Sequence, residues 1–159
     1  MERAAFLFFH LIGFGIFVTL QIAGNILERQ YRKTDDIKAK AVIVRAIKPI
    51  GLLSPVGVLI MLVTGVGNMV SLGLGIFSMG WLTAKIIFFG IAVVSGLMFG
   101  MKARKRGTLV MAMAKGETPP NGPETLKGLD KQISMFHLVM PILLTVILAL
   151  TIYGRVGGQ

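Results

Sequence analysis

At 159 residues, 54% of them hydrophobic, the chain is short enough for one domain and more apolar than ordinary soluble proteins, with a mean hydropathy of +0.77. It has no cysteine, which excludes disulfides, thiolate metal sites, thiol nucleophiles and covalent attachment of a c-type haem. A net charge of +10 would suggest a nucleic-acid partner in a soluble protein, but here the basic residues sit in two segments between apolar runs, which is the pattern of membrane topology and argues for no nucleic acid.

The sequence predicts four membrane spans. The first covers about residues 4–27, opening after Glu2 and Arg3. A cleaved leader fits this stretch poorly, because its leading end is net neutral and its apolar run is too long. A polar segment, 28–48, follows with seven Lys and Arg residues. The second span covers about 49–70, with Pro49 expected near its start and Ser54-Pro55 expected to kink it. Residues 71–80 are uncharged and glycine-rich, so spans two and three should form a tight hairpin. The third span, about 79–101, opens with Trp81 placed like an interfacial anchor and has one charge inside, Lys85. A second basic segment, 102–131, again carries seven Lys and Arg; its first third, through Ala114, reads as a continuation of the helix. The prolines of 118–123 break that helix, and the last span covers about 132–153.

The expected fold is therefore all-α, a four-helix transmembrane bundle. Fourteen Lys and Arg lie in the two long segments, against Arg3 and Arg155 on the opposite side. That bias places both basic segments in the cytoplasm and both termini outside, periplasmic in a bacterium, so the expected location is the bacterial cytoplasmic (inner) membrane. The basic segments also suit anionic lipid headgroups. Glycine pairs at Gly65/Gly67, Gly73/Gly75 and Gly96/Gly100 point to close helix contacts.

Polar residues within the spans are the functional candidates. A lysine at bilayer depth costs roughly 2.5–3.5 kcal/mol on insertion scales, so Lys85 either serves a site or snorkels to the outer interface. In the first span His10, Gln21, Asn25 and Glu28 share one helical face. Gln21 and Asn25 read as inter-helix hydrogen-bonding groups, and Glu28 as an inner-surface partner of Arg32 one turn on. His10 is either a haem or metal ligand or an inter-helix hydrogen-bonding group. It lies about six residues from the outer face, roughly 9 Å, and Lys85 lies at the same level, so the two are expected to meet. His137 enters from the opposite face and should sit roughly 15 Å from His10 along the membrane normal. Two axial nitrogens on one iron are only about 4 Å apart, so the histidines are not expected to share a metal. No acid lies in the middle of a span, and no catalytic triad is recognisable, so no catalytic residue is assigned.

Phe9-His10-Leu-Ile-Gly13-Phe-Gly15 and Gly80-Trp81-Leu-Thr-Ala-Lys85 resemble motifs of a group of small bacterial membrane proteins that includes HemJ-type protoporphyrinogen oxidases and CopD-like copper-resistance domains. The resemblance implies haem b, with His10 and Lys85 as its binding residues and His10 as the ligand to the iron. A flat slot between spans one and three, lined by Phe14, Phe17 and Phe88, would be needed. The sequence departs from the HemJ type at Ser134-Met-Phe-His137, where that type has an Asn-Glu pair, and at Tyr153-Gly-Arg155, where it has Lys-Pro. The alternative expectation is a non-catalytic accessory subunit of a larger membrane complex, packed against partner subunits. Transport ranks last, for want of an inverted repeat or a central charge.

Overall fold

The computed structural model describes residues 2–156, apart from the Arg155 side chain; Met1 and residues 157–159 lie outside the described residues. Four helices account for nearly all of the chain: α1 (Glu2–Lys33), α2 (Ile37–Ser71), α3 (Gly80–Ala114) and α4 (Gly122–Val156). There is no strand among the described residues. All four are long and apolar enough to cross a membrane. The protein is a multi-pass, four-helix membrane bundle.

The helices are longer than the spans require. At 32 to 35 residues each they extend roughly 48–52 Å, against the ~30 Å of a bilayer core. The first basic segment is therefore mostly helix. Only Thr34, Asp35 and Asp36 separate α1 from α2, and Asp36 caps α2 by accepting from the Lys38 and Ala39 amides at 3.1 and 3.2 Å. Pro49 thus sits well inside α2 rather than near its start, and α2 runs unbroken through both Pro49 and Pro55. In the second basic segment α3 continues to Ala114, as the sequence suggests, and a short turn leads into α4.

Two ends are closed by the same device. At Gly73 and Gly116 φ is +64° and +89°, and the amides of Leu74 and Glu117 reach back to the carbonyls of Met69 and Ala112 at 3.0 and 3.1 Å. These are Schellman closures, in which glycine avoids the Cβ clash of the left-handed conformation.

Packing pairs α1 with α2 and α3 with α4 most extensively, with a smaller contact between α2 and α3. The α1–α2 seam closes tightly where Gly13 meets Gly57: a Cβ on Gly13 would lie 2.8 Å from Ile60 and 3.1 Å from the Gly57 carbonyl. Of the glycine pairs expected at contacts, Gly65 and Gly67 do receive α1 side chains, His10 and Phe6. Gly73 instead forms the turn, and Gly75 and Gly100 have open space around them. Trp81 packs between helices, on Gly154 of α4.

Two apolar cores result, each with one buried residue from every helix. Phe17, Met61, Ala92 and Met140 form the first, toward the 71–80 hairpin. Tyr31, Ala41, Val110 and Leu126 form the second, at the basic end. The polar chemistry lies between and around them.

Candidate functional site

Toward the hairpin end, His10 Nδ1 lies 3.0 Å from Thr64 Oγ1 on α2. The Thr64 hydroxyl has one proton, and it goes to the Ile60 carbonyl at 2.6 Å. Thr64 therefore accepts from His10 Nδ1–H, which leaves the lone pair on Nε2. Lys85 is close enough to act on His10 electrostatically. His10 thus makes the inter-helix hydrogen bond that was its alternative reading, with Lys85 within electrostatic range.

At the basic end lies a cluster that sequence reasoning missed. Glu28 is buried and paired with Arg106 of α3 through two parallel hydrogen bonds of 2.8 and 2.7 Å. The expected partner, Arg32, instead donates to Ser134 of α4 at 2.8 Å. Asp130 of α4 approaches Arg106 at 3.5 Å, and the guanidinium lies 4.2 Å from the centre of the Tyr31 ring. Burial opposes the charge on Arg106, and the hydrogen bonds and field of Glu28 more than restore it. Burial pushes the Asp130 carboxyl above its ordinary range despite Arg106 and Lys40, and it pushes the Tyr31 phenol up, with Asp130 adding to the effect. One signal was available in the sequence: Glu28 is the only acid between Arg3 and Asp35. Its partner, 78 residues on, was hidden in a basic run.

Between the two ends, walled by all four helices, is a cavity of about 730 Å³. Phe14 and Phe17 line it as expected; on α3 the wall is Phe89 and Phe99 rather than Phe88. Phe99 stacks on Phe136 with ring centres 4.0 Å apart, and His137 meets Phe99 edge-on at 5.3 Å. His137, not His10, is the imidazole in this wall. Its Nδ1 donates to Asn25 Oδ1 on α1, so its Nε2 also carries the lone pair. Gln21, another wall residue, has its side-chain nitrogen buried with no hydrogen-bond partner among the described residues.

The pairing of His137 with Asn25 places it fifteen residues along α1 from His10, roughly 22 Å, so the two histidines occupy separate levels. No group of three or more His, Asp or Glu among the described residues is arranged to hold a bare metal ion. No family model, curated protein or solved structure matches the chain.

Proposed function

We propose that this bundle, in the manner of the HemJ/CopD-like group it resembles, holds a haem b or related porphyrin between its helices in the bacterial cytoplasmic membrane, with the basic end in the cytoplasm. The observation that carries this reading is the cavity. At about 730 Å³ it falls within the usual range for organic ligands of ~300–1,000 Å³, and its walls are mainly apolar and aromatic with few polar groups. The residues present fit such a group. His137 offers Nε2, held in one tautomer by Asn25, and the stacked rings of Phe99 and Phe136 offer a flat face beside it. Gln21 offers an unmet donor. When bound, the group would supply a redox-active iron or a light-absorbing macrocycle. The chain's own residues orient it and keep water away.

This reading moves the proposed ligand from His10 to His137 and leaves His10, Thr64 and Lys85 as a polar group nearer the hairpin. Its test is the absorption spectrum of protein purified in mild detergent after haem-replete expression. A Soret band is expected, lost in His137→Ala and kept in His10→Ala, with thermal melting confirming that both variants fold. Loss in His10→Ala alone would return the ligand to the hairpin end. A colourless protein that copurifies with a stoichiometric partner would replace this proposal with the accessory-subunit reading.

A further inference from the structure

The cavity is not sealed, and its opening can be located. The wall residues on α1 and α4 are buried or half-buried, whereas several of those on α2 and α3 are exposed: Leu52 59%, Leu59 62%, Leu97 64% and Met101 66%. That exposure puts the mouth between α2 and α3, whose contact is smaller than that of α1 with α2 or of α3 with α4. Below the mouth these helices meet again, where a Cβ on Gly107 would lie 3.3 Å from Val44. Continuing that antiparallel register by one turn brings Lys48 level with Arg104. Continuing it by two turns brings Gly51 level with Gly100. Lys48 and Arg104 are both exposed and both line the cavity. Beyond their own stretch of helix, neither Gly51 nor Gly100 has an atom within 4 Å of where a Cβ would be. The opening thus has a glycine on each side and a cation on each side of its basic-end rim. Inside, Arg106 is 2% exposed and lines the same cavity, and its Nε has no hydrogen-bond partner among the described residues.

We propose that this opening is a lateral gate through which an acidic amphiphile reaches the cavity from the basic-side leaflet, its apolar body inside and its carboxylate or phosphate held between Lys48 and Arg104. Two cations at one level fit an anionic head, and the aromatic and aliphatic walls fit an apolar body. A water-borne ligand would have no need of an opening toward lipid. The inference rests on the cavity being a binding site, as proposed above, and adds the access route and the charge of the guest. One ligand chemistry here has two sources: a free acidic ring compound or an anionic phospholipid.

The test uses the full chain in nanodiscs of phosphatidylcholine, with protoporphyrin IX, which carries two carboxylates, and its uncharged dimethyl ester as fluorescent probes. The free acid should bind about tenfold more tightly than the ester, and Lys48→Gln with Arg104→Gln should abolish that preference by bringing the acid down to the ester's affinity. Gly51→Phe with Gly100→Phe should slow loading from the bilayer several-fold, and melting of each variant checks its fold. Competition by added phosphatidylglycerol would support the site with lipid as the source of the anion; absence of competition would support it with the free acid as the guest. If acid and ester bind equally, or the charge variant behaves like wild type while both probes still bind, the gate proposal fails and the cavity reading stands. If neither probe binds wild-type protein, both fail.

Discussion

Glu28 and Arg106 show how much one pair of residues decides. Both are nearly inaccessible, and each is the other's closest ionic partner. Removing one partner of such a pair leaves an uncompensated buried ion, at a cost of about 3–5 kcal/mol. Glu28→Ala should therefore sharply lower the melting temperature in detergent, and replacing both residues with leucine should recover part of the loss. Asp130 behaves differently. Burial raises its pKa, so its contribution to stability is fully present below its ordinary value of 3.8 and is lost as the pH rises through its higher folded value. It faces Arg106, Lys40, Glu28 and Tyr31, and removing its charge removes the part that burial disfavours. The melting temperature of Asp130→Asn relative to wild type should rise as the pH is taken upward through that window; a difference constant with pH would refute the assignment.

At the scale of the element, the α1–α2 seam depends on backbone approach. Gly13 has Ile60 and the Gly57 carbonyl in the way of any side chain, while Gly15, two residues on, has open space. Gly13→Leu should destabilise the bundle by about 1–3 kcal/mol through overpacking. Gly15→Leu should be neutral or mildly stabilising, by up to about 1 kcal/mol, because it only improves helix propensity. Equal melting temperatures for the two variants would show that the seam is looser than described. Legibility in the sequence followed the same division. Gly65 and Gly67 sit in an apolar run whose contacts a small-residue pattern does signal. Gly13 and Gly57 become a pair only once α1 and α2 are set side by side.

For the whole molecule, the charge bias makes a testable statement about orientation. Because the chain has no cysteine, single introduced cysteines report sidedness directly. Phe77, 84% exposed in the hairpin, and Glu117, exposed in the turn between α3 and α4, mark opposite ends of the bundle. Phe77→Cys should react with an impermeant maleimide on intact cells, and Glu117→Cys only after permeabilisation. The reverse pattern would invert the proposed topology.

Apolar run length, glycine and proline punctuation and the spacing of basic residues determined the four helices from the sequence, because a bilayer imposes the same requirement on every span. Depth in a membrane can be counted along a helix, which is how the sequence set His10 and Lys85 at one level. What only tertiary structure decided depends on the rotation and separation of the helices, which no single segment encodes. It paired Glu28 with Arg106, turned His137 toward Asn25 and left a cavity lined by the first core. It also opened that cavity between α2 and α3 rather than elsewhere, because two helices that touch near Gly107 need not touch along their whole length.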